Sequence, residues 1–87
     1  VVSGVKSWGV YVELPQYNAE GLIRLESFTD DKYVVDEKNM MIKGIFTDKK
    51  YFLGDEIFVK ISFVDKLKKT IDFELSTQEA WEEEKGD

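Results

Sequence analysis

The sequence predicts an all-β domain, best described as a small closed or nearly closed barrel of five strands. The chain has 87 residues, 43% hydrophobic and 14% aromatic, which is typical of a single folded domain. Short segments rich in β-branched and aromatic residues alternate with turns of uneven length. A β-sandwich is the other all-β option, but five strands are few for it.

The first three strands are predicted in the N-terminal third of the chain. Residues 1–6 form the first strand, and Gly9–Leu14 forms the second, which ends before a proline. Residues 21–26 form the third. Because side chains alternate along a strand, Arg24 is expected on the face opposite Ile23 and therefore outward.

The middle of the chain predicts an inserted hairpin. Residues 27–39 have no clean period and are expected to be a long connection. Residues 40–46 and 51–53 then flank a Thr-Asp-Lys-Lys turn, which predicts a hairpin between the third and fourth barrel strands.

The last two barrel strands are predicted with the clearest alternation. In residues 56–65, four apolar side chains recur at every second position and are expected on one inward face: Ile57, Val59, Ile61 and Phe63. Thr70–Leu75 forms the fifth strand, with Asp72 and Glu74 outward.

The pattern changes at Ser76. Ser76 and Glu79 have capping-box spacing, which predicts a short acidic helix and divides the chain into a barrel, residues 1–75, and an acidic helical tail, residues 76–87. The chain carries a net charge of -6, and five of its 18 acidic residues lie in that tail. A barrel close to neutral can still present one basic face.

Composition excludes several chemistries. There is no cysteine and no histidine, so thiolate and imidazole metal sites are impossible. The acidic pairs at residues 30–31 and 36–37 do not have calcium-loop spacing. We therefore expect no catalytic residues, no bound metal and no cofactor in this chain, no membrane partner, and a cytoplasmic location. The abrupt start at Val1 suggests a piece of a longer protein.

Two aromatic residues surround a glycine at the start of the second strand. Trp8 and Tyr11 have odd spacing, so they share a face only if a bulge at Gly9 adds a residue. On the outer wall they would form a platform for stacking the bases of single-stranded nucleic acid. The alternative is that both rings belong to the core, with Trp8 capping one end of the barrel.

The order of these motifs resembles the S1 family of RNA-binding domains, which have an OB-fold barrel. The family pattern V-x-x-F-G-x-F-V appears as VKSWGVYV at residues 5–12, and the later motifs appear as GLIR at 21–24, GDEIFV at 54–59 and VDKLKK at 64–69. The resemblance covers residues 1–75 and implies a five-stranded antiparallel OB-fold barrel.

The inserted segment sharpens the resemblance. FTDDKYVVDE at residues 28–37 and KKTIDFEL at 68–75 are similar to the C-terminal S1 domain of the ribonuclease R family. Members of that family are 3′-to-5′ exoribonucleases, whose magnesium-dependent catalytic domain is not in this chain. The resemblance implies single-stranded RNA and the other domains of such an enzyme as partners.

Eight residues are expected to contact RNA: Trp8, Tyr11, Arg24, Lys60, Asp65, Lys66, Lys68 and Lys69. The two aromatic residues would stack on bases, while the arginine and the loop lysines would hold phosphates. Two roles remain open for Asp65: a hydrogen bond to the edge of a base, or a hydrogen bond to the backbone that fixes its own turn. Lys60 is included because it is expected on the outer face of the fourth strand.

A protein-interaction or inter-domain bracing module is the main alternative. It is favoured by the acidic balance and by the apolar insertion, whose residues Phe28, Tyr33, Met40 and Met41 either pack together or dock on another domain. A small stand-alone enzyme is poorly supported, because no carboxylate cluster with a base can be placed on one strand face.

Overall fold

The fold is all-β, as predicted. The computed structural model describes residues 1–76, so the predicted tail helix, apart from Ser76, lies outside the described residues. The strands within the described part are β1 (Val2–Lys6), β2 (Gly9–Leu14), β3 (Ala19–Arg24), β4 (Tyr33–Asp36), β5 (Met41–Gly44), β6 (Lys50–Phe52), β7 (Val59–Asp65) and β8 (Thr70–Leu75). Two short 3₁₀ turns follow β2 and β3, at Pro15–Tyr17 and Leu25–Ser27.

Five strands form the main sheet in the order β1-β2-β3-β8-β7. The prediction of a wholly antiparallel barrel is wrong at one junction, because β3 and β8 run parallel and pair at Leu22 and Asp72. A parallel pair requires a long crossover, and the inserted sheet together with β7 supplies it.

The sequence predicted a closed or nearly closed barrel, and the closed form is not found in the strand pairing of residues 1–76, since no ladder joins the outer strands β1 and β7. Two backbone hydrogen bonds instead hold β1 to the segment before β7. The Val2 N–H donates to the Asp55 carbonyl, and the Gly54 N–H donates to the Val2 carbonyl, both at 2.9 Å. The sheet is therefore curled, with one edge tethered through β1.

The core covers the inner face of the main sheet and also includes residues of the inserted sheet. Its most deeply buried side chains come from the inward positions of β1, β2, β3, β5 and β8: Val2, Val5, Val10, Val12, Ile23, Ile42 and Phe73. Full burial of each such side chain contributes about 1.5–3 kcal/mol. This alternation in β2 and β3 directs Tyr11, Leu22 and Arg24 to the outer face.

The prediction that four apolar side chains in and before β7 are buried is correct for two of them. Ile57 and Val59 are buried, but Ile61 and Phe63 are 60% and 59% exposed. The register shifts between Ile61, which pairs with Phe73, and Phe63, which pairs with Asp72. This bulge leaves Ser62 as an extra residue, and its hydroxyl donates to the Asp72 carbonyl at 3.1 Å. Phe63 is thereby turned to the outer face.

The insertion is a separate sheet of three strands, in the order β4-β5-β6. The predicted hairpin is confirmed as β5 and β6, which pair antiparallel. The expected long connection is wrong over Tyr33–Asp36, because those residues form β4 and pair with β5. Phe28, Tyr33 and Tyr51 pack together, with the rings of the first two 4.6 Å apart.

The Asp31 carboxylate clamps the loop that follows β5. It accepts hydrogen bonds from the backbone N–H groups of Lys32, Phe46 and Thr47, and from the Thr47 hydroxyl at 2.6 Å. Partial burial alone raises the pKa of Asp31, but these four donors outweigh it and lower the pKa to about 2. The clamp holds Phe46 in an 84% exposed position.

No helix within residues 1–76 is long and apolar enough to span a membrane.

Candidate nucleic-acid interface

Four paired residues form one row across the outer face of the main sheet. Tyr11 pairs with Leu22, Leu22 pairs with Asp72, and Asp72 pairs with Phe63. Directly paired residues point to the same face, so these four side chains, here called the central row, lie side by side.

Trp8 reaches this face from outside the strand. It lies in the turn between β1 and β2, is 51% exposed, and its indole Nε1 donates to the Tyr11 hydroxyl at 3.4 Å. The two aromatic side chains are therefore neighbours, and neither belongs to the buried core, so the alternative of two core rings is wrong.

The predicted bulge at Gly9 is also wrong. β2 pairs with β3 without interruption from Gly9 to Leu14, and the shift in this part of the sheet lies in β1, between Val2 and Gly4. Glycine is required for another reason. A Cβ at Gly9 would collide with the Ile23 carbonyl oxygen, so glycine lets the chain turn tightly against β3.

Arg24 lies on the outer face as predicted. It is the next outward residue of β3 after Leu22, which belongs to the central row. Its Nε is 3.8 Å from Oδ2 of Asp72, and its side chain remains 53% exposed. The guanidinium therefore partly offsets the negative charge of Asp72 while keeping donors free for a ligand.

The turn between β7 and β8 is shaped by Asp65. Its Oδ1 accepts hydrogen bonds from the backbone N–H groups of Leu67 and Lys68, each at 3.1 Å. Of the two roles left open for Asp65, the one that fixes the turn is observed. Lys69 adopts a left-handed φ of 57°, which is uncommon for a residue with a Cβ. The turn therefore places Lys68 and Lys69 beside the start of β8.

An open groove of about 300 Å³ joins these features. Four of the eight predicted residues line it: Tyr11, Arg24, Lys68 and Lys69. The groove wall also contains the acidic Glu20, and residues of the central row that the sequence did not single out for binding, Leu22 and Asp72. Their alternation in β3 and β8 was the available signal, since it places them outward beside Tyr11 and Arg24.

Two predicted lysines do not line the groove. Lys60 pairs with Glu74 on the outer face, and its Nζ lies 3.2 Å from Oε1 of Glu74. Lys66 is exposed in the turn after β7. Trp8 lies at the edge of the groove through its hydrogen bond to Tyr11.

A second hollow, of about 290 Å³, lies between the end of β2 and the segment that leads into β7. Glu13 and Glu56 line it, and no lysine or arginine does, so it is less suited to phosphate. Within residues 1–76, no group of three or more acidic side chains could hold a metal ion.

Comparison with known proteins places the chain in a family. The family model for the S1 RNA binding domain matches residues 1–76. This chain therefore belongs to the S1 RNA-binding domain family, and the curled five-stranded sheet is its OB-type fold.

Its relatives are ribonuclease R proteins. It is 37% identical over 75 residues to ribonuclease R of Aquifex aeolicus, and the match covers 86% of this chain and 11% of that protein. It is 30% identical over 79 residues to ribonuclease R of Escherichia coli, covering 91% of this chain and 10% of that protein. The chain thus spans about a tenth of the length of these relatives.

A solved structure agrees with this placement. The RNase R of Mycoplasma genitalium, in complex with ribose methylated single-stranded RNA, superposes with a TM-score of 0.78 and 29% identity. The superposition covers 86% of this chain and 12% of that one.

Proposed function

We propose that this chain binds single-stranded RNA in the groove on the outer face of its main sheet. The observation that carries the proposal is the convergence of Tyr11, Arg24, Lys68 and Lys69 on one open groove. An aromatic side chain beside several cations is the combination that non-sequence-specific single-strand binding uses.

The aromatic and the charged residues of the groove have different roles. Tyr11 and Trp8 stack on bases, at about 1–3 kcal/mol for each stacked base. Arg24 holds a phosphate through its free donors, and Lys68 and Lys69 neutralise phosphates along the groove edge. Asp65 acts indirectly, because it fixes the backbone of the lysine turn.

The whole protein, by this proposal, is a 3′-to-5′ exoribonuclease of the ribonuclease R type in the cytoplasm. The family membership and the short span relative to the relatives support it. The S1 domain would hold substrate for a magnesium-dependent catalytic domain elsewhere in that enzyme, and the other domains would be its partners. This chain would itself have no nuclease activity.

An NMR titration of the 87-residue chain with a short oligouridylate tests the binding proposal. We expect amide and indole shifts at Trp8, Tyr11 and Arg24 and in the turn before Thr70. A salt series should show affinity falling steeply, since phosphate contacts release counterions. The absence of shifts at low salt would contradict the proposal.

Matched variants locate the stacking residue. Tyr11→Ala should weaken binding about 5- to 150-fold. Tyr11→Phe keeps the ring and loses only the hydroxyl that accepts from Trp8 at 3.4 Å, so its affinity should stay within about twofold. Equal losses in both variants would assign the effect to the hydroxyl and contradict stacking.

A protein-contact role is the second candidate, and one observation favours it. Phe46 and Ile45 are 84% and 50% exposed at the loop that Asp31 clamps. Of the insertion residues first considered for docking, Phe28, Tyr33 and Met41 are buried, whereas Met40 is exposed. If this second function is correct, the amide and indole signals should not shift when RNA is added, and a partner domain should cover Phe46.

A further inference from the structure

We propose that Phe63 is a further base-stacking residue, which extends the RNA path across the sheet from Tyr11 to β7. This inference rests on the proposed function and deepens it. It concerns a position that sequence alternation assigned to the core.

The bulge in β7 is what puts Phe63 on the binding face. Ile61 pairs with the buried Phe73, and regular alternation would direct Phe63 to that same inner side. The extra residue Ser62, held to the Asp72 carbonyl, shifts the register so that Phe63 pairs with Asp72. Asp72 lines the groove, so Phe63 shares its face.

The ring of Phe63 is available for stacking. It is 59% exposed, and the ring-to-ring contacts within residues 1–76 involve other aromatic side chains. A single exposed apolar side chain is ordinary on a protein surface. This one is distinguished by its place in the central row, at the opposite end from Tyr11.

The separation of the two rings fits different nucleotides of one strand. Tyr11 and Phe63 are three strand spacings apart, or about 14 Å. That is wider than one base, so each ring would receive its own base. The proposal therefore predicts that short oligonucleotides reach one ring and longer ones reach both.

Cations flank both sides of the central row. Lys68 and Lys69 lie on the side of the β7–β8 turn, while Arg24 and Lys60 lie on the other side, beside Glu74. Lys60, which does not line the groove, is on the outer face of the same strand as Phe63 and would meet the phosphate of the base stacked there. The negative charge within the row, on Asp72, is paired with Arg24.

Binding of labelled dinucleotide and octanucleotide oligouridylates tests the proposal. Phe63→Ala should weaken binding of the octanucleotide about 5- to 20-fold, which corresponds to the lower part of the free-energy range for stacking one base. The affinity for the dinucleotide should not change. Phe63→Tyr keeps a ring and should bind as the unmodified chain does. Val64→Ala is the matched control, because Val64 is 47% exposed on the same strand and pairs with Ile71 on the inner side.

Three outcomes are decisive. If Tyr11→Ala weakens binding and Phe63→Ala matches Val64→Ala, the inference is wrong and the proposed function stands. If neither Tyr11→Ala nor Phe63→Ala weakens binding, both this inference and the proposed function are wrong. If Phe63→Ala weakens the dinucleotide and the octanucleotide equally, Phe63 holds no separate base. The amide spectrum of each variant, recorded without RNA, shows whether the fold is retained.

Discussion

Arg24 and Asp72 face each other across the one parallel junction within the described main sheet. The guanidinium Nε lies 3.8 Å from Oδ2, and the arginine side chain is 53% exposed. An ion pair this exposed contributes only about 0–1 kcal/mol to stability. Its main consequence is therefore electrostatic, because it sets the charge at the centre of the groove.

Asp72→Asn should strengthen RNA binding. The change removes a negative charge from the central row and frees Arg24, so we expect affinity to rise about 2- to 5-fold at low salt and less at high salt. The free energy of unfolding should change by less than about 1 kcal/mol. Fluorescence anisotropy with a labelled oligouridylate measures the affinity. Glu37→Gln, in the exposed turn between β4 and β5, is the charge control, and unchanged or weaker binding by Asp72→Asn would contradict the expectation.

Removing the two groove lysines should flatten the salt dependence of binding. Lys68→Gln combined with Lys69→Asn should make the negative slope of log affinity against log salt shallower, by about 0.7 for each phosphate that is no longer neutralised. Asparagine is chosen at Lys69 because it tolerates the left-handed φ of 57°.

Two other lysines serve as controls for that experiment. Lys38 is exposed in the turn between β4 and β5, and Lys66 lies in the turn between β7 and β8 but outside the groove. Lys38→Gln should leave the slope unchanged, and Lys66→Gln should change it less than the double variant does. Equal slopes for all of these variants would show that the groove has no special part in holding phosphate.

Gly21→Ala should destabilise the fold. A Cβ there would lie 2.6 Å from the Phe73 ring and 2.7 Å from the Ile71 carbonyl oxygen, so β3 and β8 could not approach as they do. We expect a loss of about 1–3 kcal/mol in urea unfolding. Gly4→Ala is the matched control in the same sheet, since its new methyl would be 3.5 Å from Tyr11. Equal stability of the two variants would be evidence against this close approach.

Acid should weaken the inserted sheet through Asp31. The folded state lowers the pKa of Asp31 from 3.8 to about 2, so ionised Asp31 stabilises the fold above pH 3.8. That contribution is lost as the pH falls through this window towards 2. Asp31→Asn should therefore be less stable than the unmodified chain at neutral pH, and the difference should shrink between those two values.

Thermal unfolding across the acidic range measures that difference, and carboxyl NMR measures the pKa of Asp31 directly. Thr47→Val removes the 2.6 Å hydroxyl donor and should raise the pKa of Asp31 towards its ordinary value. A constant difference between Asp31→Asn and the unmodified chain over the whole range would rule out the linkage.

Local patterns were sufficient for much of the main sheet. β2, β3 and β8 follow simple alternation, so the outward positions of Arg24 and Asp72 were predictable, as was the β5–β6 hairpin. β4 was not predictable, because its sequence, Tyr-Val-Val-Asp, lies in a segment without a clean alternation of apolar and polar residues. It is held by pairing with β5 and by the packing of Tyr33 on Phe28 and Tyr51, and such contacts leave no periodic signal.

For the binding face too, some features follow from the sequence and others only from the tertiary structure. The sequence alone determined the all-β class, the S1 family and the residue types for stacking and phosphate contact, because these depend on composition, spacing and motif order. Only the tertiary structure decided that Trp8 joins Tyr11 from a turn, that Asp65 holds the lysine turn and that Phe63 faces outward. Each of these depends on one or two hydrogen bonds or on one extra residue in a ladder, and a single register shift changes the face on which a side chain lies.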